Sequence, residues 1–196
     1  MTSATRKDLP VTKYSAILAD PPWDIYQKGT RGARNYYQLM TLDQIKAMPI
    51  AELATPDAHL WLWTTNATLR DGYDVAEAWG FTVRSPLHWV KFHLGLGQYL
   101  RNSSETLLFC TRGKAPVKFR GQPTWFNAPA QDHSHKPEEQ YPLIERISEG
   151  PYLELFARRR PSSNKPWSVW GNEIASDVTI PGYPVPSDAV HLRGQR

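Results

Sequence analysis

Chemistry in this chain can start at Asp20, Pro21, Pro22 and Trp23, which stand directly behind the apolar run Tyr14-Ser-Ala-Ile-Leu-Ala19. Consecutive prolines fix φ and remove backbone donors, so the turn is rigid and its carbonyl oxygens are left as outward acceptors. A carboxylate and a carbonyl held in this way suit an aromatic amine. The lone pair of such an amine is delocalised into its ring; acceptors for its hydrogens localise the pair on nitrogen, and the contribution is chiefly one of orientation. Trp23 offers a face on which a base turned out of its helix would stack. The same residues also read as a proline-stopped strand with a tryptophan in the core.

Behind that turn, residues 14–20 predict a short buried strand that delivers Asp20 to its C-terminal end, the edge at which open α/β sheets bind ligands. Residues 24–40, rich in Gly, Arg, Tyr and Gln and without period, predict a loop, and Thr41 predicts the N-cap of a short helix through Ala47 that Pro49 ends. Further strands are predicted over 58–64, 81–91, 105–111, 152–156 and 167–170. A helix over 66–79, with Asn66 as a possible cap, carries Leu69, Tyr73, Ala76 and Trp79 on one stripe ahead of Gly80; a second, over 137–147, carries Tyr141, Ile144 and Ile147. Residues 92–104 and 114–135 read as loops, the second basic and aromatic through Lys118, Arg120, Trp125 and Phe126. Alternating strands and helices predict a three-layer α/β domain over residues 1–175 with a largely parallel sheet, followed by an extended or disordered tail over 176–196.

Composition narrows the partners. A chain of 196 residues with 40% hydrophobic and 21% charged residues fits one domain, and a net charge of +4 with pI near 9.2 favours a polyanionic partner. Eight Trp, nine Tyr and six Phe serve stacking and core packing equally well. Cys110 has no second cysteine, which excludes disulfides within the chain and Cys-rich zinc sites. His59, His88, His93, His133 and His135 lack metal-ligand spacing, so no metal is assigned. No apolar run approaches the ~20 residues of a membrane span, and residues 1–10 lack a signal-peptide core, so a cytoplasmic protein is expected.

Several segments in fixed order carry a resemblance: Ala19-Asp-Pro-Pro-Trp-Asp24, Leu60-Trp-Leu-Trp63, Trp89-Val-Lys91, Ser134-His-Lys-Pro137, Ile144-Glu-Arg146, Glu154-Leu-Phe156 and Gly171-Asn172. Over about residues 14–174 the chain resembles the MT-A-type N6-adenine methyltransferases, relatives of the catalytic subunit of the eukaryotic messenger-RNA N6-adenosine methyltransferase. The resemblance implies a Rossmann-like S-adenosylmethionine-dependent methyltransferase fold in permuted order, with the catalytic motif before the cofactor-binding strand. It implies Asp20, Pro21, Pro22 and Trp23 as the catalytic turn, Asp20 lying between amine and cofactor. Lys136 would reach the methionine carboxylate or ribose, Leu155 and Phe156 would flank the adenosine, Arg158 and Asn172 would bond the ribose, and Glu173, an amide in the eukaryotic enzyme, would assist. Trp23, Tyr26, Lys91 and Arg120 are the expected substrate contacts.

The chain departs from the family pattern at Ala157, where many relatives have glycine, and at Arg160, where the eukaryotic enzyme has histidine. The glycine-rich dinucleotide fingerprint is absent. A compact chain without an RNA-binding zinc module looks like a bacterial or phage-like stand-alone member, which points to adenine-N6 methylation of DNA; the alternatives are the same reaction on RNA, a non-catalytic nucleic-acid-binding partner subunit, and a small-molecule amine methyltransferase. The expected reaction is direct in-line transfer without covalent intermediate or metal. The family's use of dimers implies a homodimer or heterodimer, with residues 92–104 as the segment available to a partner.

Overall fold

The computed structural model describes residues 12–24, 39–95, 99–131 and 135–183. Its strands are β1 (Tyr14–Ala19), β2 (Ala54–Thr64), β3 (Thr82–Val90), β4 (Ser104–Arg112), β5 (Trp125–Asn127), β6 (Tyr152–Leu155) and β7 (Trp167–Trp170). Together they form one sheet in the order β5-β3-β4-β2-β1-β6-β7. The pairings β1–β2, β1–β6, β6–β7 and β3–β5 are parallel, whereas β4 is antiparallel to both β2 and β3. The expectation of a largely parallel sheet therefore holds except at β4. Residues 91–103, which join β3 to β4, include no helix among the described residues to make a crossover, so the chain returns as an antiparallel hairpin.

Strand alternation divides the core into two faces. Ile17 and Ala19 point to one, packed by α1 (Leu42–Lys46), α2 (Ile50–Leu53) and α3 (Leu69–Ala78) through Ile45, Ile50, Leu53, Val75 and Trp79. Ala16 and Leu18 point to the other, where α4 (Gln140–Ile147) contributes Tyr141, Leu143, Ile144 and Ile147. Helices on both faces of a mixed sheet are the α/β arrangement that the sequence implies. β1 and β6 are adjacent in the sheet although most of the chain separates them. The turn at Asp20 thus precedes in sequence the strand it sits beside, as a permuted order requires.

Local signals explain most boundaries. Thr41 caps α1 in a reciprocal box with Gln44. Past α3, Gly80 takes φ of 80°, the left-handed conformation that closes a helix at little cost for glycine. Within α3, however, the buried residues are Gly72, Val75 and Ala76, while Tyr73 of the expected stripe is 45% exposed. Asn66 does not cap the helix; its amide donates to Asn102 Oδ1 at 3.0 Å, and Thr65 and Thr68 bond each other at the turn. The loop expected over 114–135 contains β5, three residues with an exposed Trp125 and too short to show a period.

The first part of the expected tail is packed. Asp177 accepts from the Val169 amide at 2.9 Å and pairs with Arg160, Ile180 is buried, and Tyr183 donates to the Gln44 carbonyl at 3.0 Å. Arg160, one of the departures from the family pattern, therefore ties this segment to the sheet edge. Residues 184–196 lie outside the described residues. Among those described, no helix is long and apolar enough to cross a membrane.

Candidate active site

Every forward strand ends at one edge of the sheet, and reversed β4 begins there. Ala19 pairs with Leu62 of β2 and Leu155 of β6, so Asp20 emerges near the middle of that edge. Glu105, second residue of β4, stands opposite Trp89, two positions before Lys91, which directly follows β3. Lys136 enters from the segment ahead of α4. Its ammonium donates to Asp20 Oδ2 at 2.8 Å and lies 3.3 Å from Glu105 Oε2, while the other Glu105 oxygen accepts from Lys91. Two tryptophan rings support the ammoniums: Lys136 Nζ is 5.4 Å from the Trp63 ring and Lys91 Nζ 4.4 Å from the Trp89 ring.

This network treats its two carboxylates differently. Burial is the largest influence on Asp20 and raises its carboxyl above the ordinary aspartate value, with Lys136 pulling the other way. Burial acts on Glu105 in the same sense, but Lys136 and Lys91 outweigh it and hold that carboxyl below the ordinary glutamate value. For Lys136, burial acts to lower the ammonium and is overcome by Asp20 and Glu105, so it stays charged. Glu105 is the fixed anion, and Asp20 is the group with raised basicity. A carboxylate of raised basicity beside a fixed anion is a group that can accept a proton. Asp20 is also the most accessible of the four, 33% exposed against 21% for Glu105 and Lys91 and 14% for Lys136.

The proline turn is held from within. Pro21 O accepts from the Trp23 amide and Pro22 O from the Met40 amide, both at 2.9 Å. The expectation of two outward carbonyls is corrected accordingly: each already has a donor, and what Pro21 O can offer is its second lone pair. Trp23 is 7% exposed in the core facing α1, and its indole donates to the Trp63 carbonyl at 3.2 Å. In this packing Trp23 anchors the turn to β2 and presents no stacking face, because its ring is buried and its indole is bonded to the β2 backbone. Trp63 is fixed in turn by a 2.8 Å bond to Gln140 of α4.

Beside Asp20, the ends of β6 and β7 are shaped by backbone. Phe156 directly follows β6 with φ of 63°, a region that non-glycine residues rarely enter outside functional turns. Ala157 N then donates to Trp170 O at 2.9 Å, and a Cβ at Gly171 would fall 1.8 Å from Ala157 O. The two chain ends meet closely because residue 171 is glycine, so the methyl of Ala157 is accommodated, buried, without loosening the contact. Phe156 packs edge-on against Trp170, whose indole nitrogen is buried with no hydrogen-bond partner. Beyond this pair, Arg158 Nε bonds Glu173 Oε1 at 2.9 Å, Asn172 is exposed, and the Arg158 charge acts on Asp20.

With that geometry in place, comparison with known proteins is decisive: the MT-A70 family model matches residues 14–173. The chain belongs to the MT-A70 family. It is 31% identical over 83% of its length to the human "N(6)-adenosine-methyltransferase catalytic subunit METTL3", and 30% identical over 83% to the rice "Probable N(6)-adenosine-methyltransferase MT-A70-like". It spans only 28% and 23% of those two proteins. A third relative, the "Type II methyltransferase M.MunI" of a Mycoplasma species, is 27% identical over 88% of this chain and 83% of its own length.

In this MT-A70 chain the expected residues fall into two adjoining groups, Asp20 with Lys136 and Lys91, and Leu155, Phe156 and Arg158 with Asn172 and Glu173. Arg120 joins neither; it lines a separate cavity on the α4 face. Tyr26 lies outside the described residues. Glu105 was missed: it heads the apolar strand Glu105-Thr-Leu-Leu-Phe109, and only the pairing of reversed β4 brings it to Lys136. Tyr141 was assigned only to the core, yet its hydroxyl donates to Glu154 at 3.1 Å, and burial pushes the Glu154 carboxyl up to about 8.

Proposed function

We propose that this MT-A70 chain transfers a methyl group from S-adenosylmethionine to the N6 amine of adenine in DNA. The observation that carries the reading is Asp20, a partly accessible carboxylate of raised basicity at the sheet edge, fixed by a lysine whose charge a second carboxylate shares. The neighbouring edge would suit the donor: a buried indole N–H at Trp170 without a partner and a positive φ at Phe156 lie beside strand ends held together by the close approach of Gly171 to Ala157. Leu155 and Phe156 would flank its adenosine, and Arg158, Asn172 and Glu173 would hold its ribose. When bound, S-adenosylmethionine supplies a methyl group activated on a positive sulfonium.

The chain's own residues do the rest. Asp20 accepts one amine hydrogen and the second lone pair of Pro21 O the other, which localises the nitrogen lone pair for in-line attack. As the new N–C bond formed and the donor's S–C bond broke to leave a neutral thioether, Asp20 would take the departing proton and release it through its exposed side. Lys136 keeps the carboxylate oriented, Glu105 and Lys91 keep Lys136 in place, and Trp23 holds the turn against β2. Acceptors fixed before the substrate arrives need no reorganisation during the reaction.

DNA is favoured by the relative matched over most of its length, a type II methyltransferase; the net positive charge of the chain suits either polyanion. RNA is the second reading, favoured by the adenosine named in the animal and plant relatives. Matched single- and double-stranded DNA and RNA oligonucleotides, incubated with cofactor and read by nucleoside mass spectrometry, decide between them. The expected product is N6-methyldeoxyadenosine with the wild type and none with Asp20→Ala. Methylation of RNA alone would move the assignment to the second reading, and binding of both without transfer would make the chain a non-catalytic partner.

A further inference from the structure

The α4 face of the sheet is covered unevenly. α4 packs over β2, β6 and β7, through Gln140 under Trp63 and Tyr141 against Glu154 and Trp167. Over β3 and β4 there is no helix among the described residues, and the loop 113–124 crosses instead. It is tied down by Lys118 N donating to Ile147 O at 2.9 Å and by Ala115 O meeting His59 Nε2 at 3.1 Å. Between loop and sheet lies a cavity of about 710 Å³, with Trp61, Leu87 and Phe109 at the sheet and Phe119, Arg84 and Arg120 among the other lining residues. Among the described residues, no carboxylate lines it.

Its chemistry is that of a stacking site with an anion-binding rim. Phe119 is 41% exposed and is braced by the Arg146 guanidinium 4.9 Å from its ring. Arg84 is oriented by its Nε bond to Thr111 at 2.8 Å, which leaves its terminal nitrogens directed to other acceptors, and Arg120 is exposed on the loop. The cavity shares its face of the sheet with the Asp20 network, since Trp61 and Trp63 alternate with Leu60 and Leu62 on β2. From the strand pairing, Phe109 stands two strands across from β1 and two residues down from the level of Asp20. Ordinary strand spacings make that about 10 Å across and about 7 Å along, within reach of a neighbouring nucleotide on the same strand.

We propose that this cavity binds one nucleotide flanking the target adenine, its base against the aromatic lining and its phosphate on Arg120 and Arg84. The inference rests on the nucleic-acid substrate proposed above and adds to it a second point of attachment. Every base has a π-face, so aromatic stacking with a basic groove holds a strand without reading its sequence, and arginine suits phosphate through its paired donors. The expected occupant is a nucleotide within the strand, not free in solution.

The test is fluorescence anisotropy with labelled single strands of the polymer that the wild type methylates, a trimer with central adenine and a dodecamer. Phe119→Ala and Arg120→Glu, both at exposed loop positions, should each weaken binding of trimer and dodecamer alike about tenfold and keep the wild-type melting temperature. Arg120→Glu should also reduce the slope of log affinity against log salt by about 1. Variants that bind the dodecamer like the wild type, while the wild type methylates it, would overturn this inference and leave the proposed reaction standing. Adenosine monophosphate bound as tightly as the strands, with the same loss in Arg120→Glu, would overturn the assignment to a strand. A wild type that binds neither oligonucleotide would remove both readings.

Discussion

The two halves of the site are built in opposite ways. Around Asp20 the side chains bind one another: carboxylates and ammoniums alternate through Asp20, Lys136, Glu105 and Lys91, and tryptophan rings back them. At the ends of β6 and β7 the backbone makes the shape, through φ at Phe156 and the absence of a side chain at Gly171, while Arg158, Asn172 and Glu173 stay exposed. A group that accepts a proton needs its field fixed in advance; a ligand with its own charges needs a surface it can approach. On the function proposed above, the first half would carry the chemistry and the second would bind the donor.

Breaking the backbone half should have the largest effect on stability. In Gly171→Ala the new methyl must displace Ala157 O, which a Cβ would meet at 1.8 Å, and backbone has no flexible end to give way. The expected loss is about 3 kcal/mol in chemical denaturation, together with loss of cofactor binding by calorimetry. A variant that folds and binds like the wild type would mean that the approach of the two chain ends is incidental.

In the charged half a gentler change should act on chemistry. Glu105→Gln keeps the shape and removes the fixed anion, leaving Lys136 to Asp20 alone and Lys91 without its carboxylate. Stability should fall by about 1–3 kcal/mol, and turnover should fall while cofactor affinity holds. Loss of cofactor affinity without loss of turnover would blur the division between the halves.

The smallest effect is expected where the halves meet, at Glu154. Its carboxyl rises from an ordinary 4.5 to about 8, chiefly through burial. Between those values the native state keeps a proton that the unfolded chain has released, so stability falls as pH rises through the window. Glu154→Gln should flatten that slope, with a gain on the order of 1 kcal/mol at the alkaline end, seen as melting temperature against pH. An unchanged slope would show that this group is not the one titrating.

Much of this architecture was legible in the sequence, for reasons that differ by element. β1 and β2 announce themselves as apolar runs ending at Asp20 and Thr64, and α1 by its Thr41 and Gln44 capping box. The collinear motifs single out Asp20 and Lys136, which the fold brings into contact, and Phe156 and Asn172 at the neighbouring strand ends. Two kinds of feature were not legible. One is contact across the sheet: Glu105 meets Lys136 only because β4 is reversed and begins where β1 ends, a fact of pairing that no local pattern carries. The other is direction. Tryptophan at position 23 fits a stacking platform or a core anchor equally well by type, and only the bond to Trp63 O distinguishes them. Arg120 fits a substrate loop by composition, but its loop crosses β3 and β4 and so lines a cavity of its own.

The division of labour between the halves is tested most directly by measuring turnover and cofactor affinity together in Asp20→Asn and Asn172→Ala. For Asp20→Asn the account predicts a fall in kcat of about 10²–10⁴-fold with the cofactor Kd near the wild-type value. Asn172→Ala should instead weaken the Kd about tenfold and leave kcat at saturating cofactor nearly intact. Equal losses of affinity in both variants, or a full kcat in Asp20→Asn, would contradict it.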